Sequence, residues 1–533
     1  AVASLYTDEY ADLMRDQYHY HQGAYNSVGQ TAGNNAAVAM YSMGTWNEYP
    51  EPEDDTDEPV VVDGIFEKTA SAAEIDISDM KTYGADTFRV YKADKSYVDV
   101  KAENGKVANP TGTDEVTVVP IYRFNYTNSA MDGYVTATGT FTAETGYGLV
   151  DGQSYSTNEN GSLPKDAATL HVVLPEGSYD MNILRRGGTR SDVYNDGIQI
   201  INNTTGAEGG NNHRGSAYGL MYAPQVRIAD GSADITIGNT SGSNERIAAM
   251  EIIKVPDAYK KPVIWIAGDS ESANYFPIDA NGNDLDSREL KITGFGMQLP
   301  KFLSDKYKVA NWGQPSATVK TWYDECFDAV NYRMTEGDTI IVDFGINDSI
   351  SSSNAISIDV MKEYMTTIFN AAKAKNVTTI LVSPLWNSKY QHRTYFTYDK
   401  TNNTNAMYAF AESAGAAYID LNKYSQLYKD KAIEETGDSD WVKHNYHVYD
   451  NLHQTQHTAL LLASFIAAGM KEIGYETSDF EYTYTDAASL TDDYIREADS
   501  DSKRIYSVSA AEEFMKNGTI VKPSSEEPEQ DGI

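Results

Sequence analysis

Cysteine is all but missing from this chain, with Cys326 alone among 533 residues. One cysteine excludes an intrachain disulfide and any cysteine-based metal site. Its simplest role is that of a small core side chain. Basic residues are scarce too: 42 Lys and Arg stand against 78 Asp and Glu, giving a formal charge of −36. Such a surface repels nucleic acid and anionic membranes, so neither is expected as a partner. No apolar run reaches the length of a membrane span, and no signal peptide is visible. The chain starts at Ala1 rather than Met, which fits a mature product or a fragment.

What is present is enough for a large folded protein. Hydrophobic residues make up 41% of the chain, and its length predicts two to four domains. Tyrosine is abundant at 39 residues. Its apolar ring with a polar rim suits sugar surfaces, and it also serves ordinary β-sheets.

Four regions follow from the pattern. Residues 1–59 are poorly defined and end in an acidic, proline-bounded linker, EPEDDTDEP. His19 and His21 alternate there with tyrosine, either as a metal tract or as an exposed tyrosine-rich segment. Residues 60–258 read as short strands separated by turns, for example VTVVPIYRF and ADITIG. Strands without intervening helices predict one or two β-sandwiches, for spacing or for carbohydrate binding. Residues 259–478 alternate strand and helix. VIWIA (263–267), TIIVDFG and TTILVSP are continuous apolar runs of the kind buried on both faces of a parallel sheet. The fold class is therefore α/β, a doubly wound parallel sheet preceded by β-sandwich domains. Residues 479–533 form a C-terminal extension with a polar tail, PSSEEPEQDGI.

Four short motifs in 259–478 carry chemistry. Gly268-Asp269-Ser270 directly follows the first apolar strand. A serine on a tight turn there is a candidate nucleophile that needs a base and an oxyanion site. NWGQPSAT (311–318) is a strand-to-helix loop whose backbone N–H groups can face a carbonyl. Gly345-Ile346-Asn347-Asp348 supplies a side-chain amide suited to an oxyanion. Its ordinary alternative is a turn in which Asp348 caps the next helix. Asp450-Asn451-Leu452-His453 places a carboxylate three residues before a histidine, where it fixes the ring's tautomer. His444, His447 and His457 lie close by, but only His453 has an Asp at this short spacing before it. Each motif alone is weak, and each has an ordinary structural alternative.

Their order is distinctive. It resembles the SGNH (GDSL-like, flavodoxin-like) hydrolase superfamily over residues 261–475. The rhamnogalacturonan acetylesterase group is closest, its pattern GWGQxLPxFL, VxNxAxxGRS and GDxxxxxFGHND being mirrored by GFGMQLPKFL, VANWGQPSATVKTW and GDTIIVDFGIND. The resemblance implies Ser270 as nucleophile and Asp450 with His453 as its partners. It implies an oxyanion hole of the Ser270 and Ser316 N–H groups and the Asn347 amide. It implies no metal and no cofactor. Several positions depart from the family: Ser316 and Ala317 replace the Gly-Arg of GRS, Glu271 replaces Thr, Ile346 replaces His, and Thr458 replaces a Gly. Gly313 is the fallback donor should Ser316 not serve. The implied function is a secreted or cell-surface serine esterase removing acetyl groups from a plant cell-wall polysaccharide. Competing expectations are a non-catalytic carbohydrate-binding scaffold, or an esterase acting on a lipid or another non-carbohydrate ester.

Overall fold

The computed structural model describes residues 64–523, apart from 128–129, 138, 151–155, 159–160, 164–167, 187–191, 202–217, 239–246, 276–291, 350–354, 391–394, 449 and 491–495. The expectations for residues 1–59, including His19 and His21, and for residues 524–533 of the tail lie outside the described residues.

Between Lys68 and Val255 the chain builds mainly antiparallel sheets, with the short strand Val135–Thr136 running parallel to Val116–Asn125. The path through the larger runs Tyr218–Ile228, Gly177–Arg186, Ile247–Val255, Val116–Asn125, Thr87–Tyr91, Tyr97–Lys101. The other is ordered Ile198–Ile201, Asp192–Asn195, Ser232–Gly238, Ala168–Val173, Tyr147–Leu149. Alternation explains how they pair. Met181 and Ile183 lie opposite Ile252 and Met250 in the first sheet, and Leu170 lies opposite Ile235 in the second. All of them enter one apolar cluster shared by both sheets. Outward-facing His171 bonds instead to Asp234 at 2.7 Å.

The second architecture is a parallel sheet of β1 (Val263–Gly268), β2 (Lys308–Asn311), β3 (Thr339–Asp343), β4 (Thr378–Val382) and β5 (Ala417–Ile419). Its spatial order is 2-1-3-4-5, and every pairing is parallel. This is the flavodoxin-like doubly wound arrangement, in which ligands collect beyond the carboxyl ends of the strands where the order reverses, beside β1 and β3. The continuous apolar run of β1 has a direct cause. Ile264 and Ile266 face one layer of helices, while Val263, Trp265 and Ala267 face the other. The sheets are tied together by polar contacts at the amino end of this core. Asp338 accepts from Val263 N–H, from the Trp265 indole and from the Gln225 amide, and Lys308 pairs with Asp180 at 2.6 Å.

The C-terminal extension belongs to this core. Helix Gln456–Glu472 is buried without a break from Thr458 to Met470. A helix apolar all round needs cover on both sides. The parallel sheet supplies one side. The hairpin Glu481–Leu490/Arg496–Ser507 and helix Val508–Asn517 extend the same core through Tyr484, Tyr506, Val508 and Phe514. Residues Glu481–Asn517 thus pack into the same apolar core as the parallel sheet.

No described helix is long and apolar enough to cross a membrane.

Candidate active site

β1 ends at Gly268, where any side chain would collide: an added Cβ would lie 2.3 Å from Ser272 Oγ. The chain then turns sharply, with the N–H groups of Ser272 and Ala273 both donating to the Asp269 carbonyl at 3.3 and 3.1 Å. Ser270 sits on this turn, 7% exposed. Among the described residues, its hydroxyl has no hydrogen-bond partner.

β2 delivers the second loop. Gln314 N–H donates to Gly268 O at 2.9 Å, and Asn311 Nδ2 donates to Ser272 O at 2.7 Å, so this loop is stitched to the Ser270 turn. Ala317 N–H donates back to Gln314 O at 3.1 Å, closing a turn with Pro315 and Ser316 at its centre. Ser316 has φ +68°, the left-handed region. Proline followed by a positive φ is the type II pattern, whose third residue favours glycine. This accounts for the family's glycine at the position, and a serine there carries strain of about 1 kcal/mol. The Gly313 N–H is already donated to Asn311 Oδ1 at 3.0 Å, so Gly313 is occupied in holding the loop. No described residue accepts from the Ser316 N–H.

β3 delivers the third. Gly345 has φ +144°, and an added Cβ would lie 2.3 Å from the Phe396 ring, so only glycine fits. The Asn347 amide then donates to Asp269 Oδ2 at 3.2 Å and to Ala317 O at 3.1 Å. One side chain thus touches the neighbour of Ser270 and the neighbour of Ser316. Asp348 does cap a helix, though not the following one. Its Oδ1 accepts from Val319 N–H at 2.9 Å, at the start of the helix after the Ser316 turn. The following helix, Ile358–Ala374, is capped by Ser357.

The fourth group comes from the loop before helix Gln456–Glu472. Asp450 and His453 do not share a helical turn. Asp450 Oδ1 accepts from the Leu452 and His453 N–H groups, each at 2.9 Å, while Asn451 takes φ +59°. This folds the loop so that His453 Nδ1 lies 2.5 Å from Asp450 Oδ2. Burial opposes charge on Asp450, but the His453 ring and the two N–H groups outweigh it and hold the carboxyl down to about 2.

The other histidines are committed elsewhere. Burial pushes the His447 ring down to about 3, so it is neutral. Its Nε2 accepts from Ser388 N–H and its Nδ1 faces the His453 carbonyl, fixing its tautomer. His457 is held between the Tyr482 hydroxyl and Arg496. His444 pairs with Asp438 at 2.9 Å. Pairing with a carboxylate is therefore not unique to His453, although only His453 has its Asp three residues before it.

The distinction comes from Tyr275. Its hydroxyl donates to the Ser270 carbonyl at 3.0 Å, and its ring meets the His453 ring edge-on at 6.2 Å between centroids. A single side chain thus connects the serine turn and the histidine loop. Nothing marked Tyr275 in a sequence with 39 tyrosines. Behind the turn lies a buried acidic group. Asp269, Glu271 and Asp343 each bring one oxygen within 4.8 Å of the others. Burial, with mutual repulsion, raises all three well above the usual carboxylate range.

Motif order and the 2-1-3-4-5 sheet are those of a carboxylic ester hydrolase, similar to the SGNH (GDSL) type. Its relatives are named accordingly. The chain is 25% identical over 364 residues to the "Uncharacterized esterase YxiM" of Bacillus subtilis (strain 168), covering 61% of this chain and 83% of that protein. It is 23% identical over 230 residues to the "Rhamnogalacturonan acetylesterase RhgT" of the same organism, covering 41% of this chain and 94% of that protein. The solved structure of B. subtilis YxiM shares the fold, with a TM-score of 0.52 and 21% identity over 66% of this chain and 99% of that one. No family model matches the sequence.

Proposed function

We propose that this esterase removes acetyl groups from a plant cell-wall polysaccharide, a pectin of the rhamnogalacturonan kind or a hemicellulose, through an acyl-enzyme on Ser270. His453 takes the Ser270 proton through Nε2, while Asp450 holds Nδ1–H and stabilises the imidazolium. The Ser270 oxygen attacks the acetyl carbonyl. The oxyanion is met by the N–H groups of Ser270 and Ser316 and by the Asn347 amide. His453 returns the proton to the departing sugar hydroxyl, and water then releases acetate by the same route. We read the paired antiparallel sheets as a β-sandwich module ahead of the catalytic domain, and the protein as acting outside the cell.

The observation that supports the reading is the Tyr275 link, which joins the backbone of the Ser270 turn to the ring of His453, itself paired with Asp450. The name of RhgT supports acetylated rhamnogalacturonan as the first substrate to try. The test is acetate release from a panel of acetylated pectins, xylans and mannans. Release from one class, abolished by Ser270→Ala at an unchanged melting temperature, is expected. Full activity in Ser270→Ala would overturn the mechanism. Activity on small acetates alone would overturn the polysaccharide.

A further inference from the structure

Glu271 follows the serine directly and is 3% exposed. It stands where the resembled family has threonine. Its N–H donates to Asp269 Oδ1 at 2.9 Å, and that carboxylate also accepts from Asn347. Its carbonyl accepts from Phe295 N–H at 2.8 Å and from Gln454 Nε2 at 2.6 Å. Gln454 is the residue after His453. The Glu271 side-chain Oε2 accepts from Leu385 N–H at 2.8 Å, in the loop beyond β4. One residue thus joins the serine turn to the histidine loop and the β4 exit, and through Asp269 to the Asn347 amide.

The remaining atoms are unusual. Glu271 Oε1 and both oxygens of Asp343 are buried with no partner. Asp343 ends β3, and the two carboxyls lie within 4.8 Å of one another. Among the described residues, no Lys or Arg pairs with either. The groups facing Glu271 are Asp343, Asp269, Tyr275 and Tyr446, and none is cationic. A buried carboxylate without a cation or donor is costly. A proton on one of the two carboxyls removes one buried charge, and at a separation within 4.8 Å a small side-chain shift brings the two oxygens into hydrogen-bond contact.

We propose that Glu271 is a positioning residue for the esterase reaction, fixing the Ser270 turn against the His453 loop, with its free carboxyl oxygen sharing a proton with Asp343. The inference rests on Ser270 and His453 reacting as proposed above. Loss of the shared proton at alkaline pH places two negative charges together and displaces the turn. The burial-driven rise of both carboxyls is consistent with a proton retained at neutral pH.

The test is the pH dependence of kcat and KM on 4-nitrophenyl acetate between about pH 5 and 9.5, for wild type, Glu271→Ala, Glu271→Gln and Asp343→Asn, with melting temperatures. Glu271→Ala is expected to lose about 10- to 100-fold in kcat with KM little changed. Glu271→Gln keeps an acceptor for Leu385 and a donor for Asp343, and is expected to stay within about threefold of wild type. The wild-type alkaline fall in kcat is expected to vanish in Glu271→Gln and in Asp343→Asn. Glu271→Ala matching wild type, Gln rescuing nothing while folded, or an unchanged alkaline limb in both neutral variants would each overturn the proposal. Should Glu271→Ala not fold, the two neutral variants decide it. Ser270→Ala in parallel separates this outcome from failure of the serine mechanism, since only the latter leaves Ser270→Ala active.

Discussion

His453 Nδ1 and Asp450 Oδ2 stand 2.5 Å apart, held there by a loop in which the same Asp450 side chain also accepts two backbone N–H groups. The carboxylate therefore does two jobs, shaping the loop and orienting the ring.

Asp450→Asn should separate these jobs. The amide oxygen keeps the backbone bonds, but the charge that fixes the tautomer is lost. We expect kcat to fall on the order of 10³- to 10⁴-fold, with a much smaller change in melting temperature. The same carboxyl is depressed from 3.8 to about 2. Its contribution to stability is thus present above about pH 4 and lost as pH falls through about 2. Thermal melts from pH 6 to 2 should show the wild-type advantage over Asp450→Asn shrinking across that window. An advantage independent of pH would contradict it.

Ser316 at φ +68° gives the second prediction. Ser316→Gly relieves left-handed strain and keeps the N–H, at the cost of a freer unfolded chain. The melting temperature should rise, by the equivalent of about 0.5–1 kcal/mol, and kcat should stay within a few-fold. A clear loss of stability on calorimetry would mean that the serine hydroxyl, rather than the backbone, matters at this position.

Asn347 bridges Asp269 and Ala317 before any substrate arrives. Removing it takes away the proposed oxyanion donor together with a clamp. Asn347→Ala is expected to lose about 10²- to 10³-fold in kcat and roughly 1 kcal/mol of stability. Steady-state kinetics and urea melts measure the two losses separately. A stability loss without the kinetic one would leave Asn347 as a clamp only.

The docked hairpin depends on Arg504 and Asp486, whose side chains are 2% and 3% exposed and 2.7 Å apart. Arg504→Ala leaves a buried carboxylate uncompensated, at a cost of about 3–5 kcal/mol. Replacing both residues by apolar ones of similar volume should recover much of that loss. Limited proteolysis, followed as loss of the intact chain, should quicken in the single variant and slow again in the double one. Equal cleavage in all three proteins would mean that the hairpin docks without the pair.

Much of this site was legible in the sequence because parallel strands announce themselves. β1, β3 and β4 are buried on both faces, so VIWIA, TIIVD and TTILV read as unbroken apolar runs, and a motif after such a run lies at the sheet's carboxyl edge. That logic places Ser270, Ser316 and Asn347. It does not reach contacts made across the fold. Tyr275 has no pattern around it, and Glu271 looks like a neighbour of the serine until Leu385 and Gln454 are seen against it. The extension after 478 shows the same limit, because its partner surface on helix Gln456–Glu472 is made only when that helix is buried.

The sequence by itself determined which side chains stand beyond which strands, since that follows from local periodicity and turn chemistry. Only the tertiary structure decided which of four nearby histidines faces the serine turn, and that Gly313 is already bonded. The reason is physical: hydrogen bonds between loops that are distant in the chain are set by how the layers pack, and no local pattern encodes that packing.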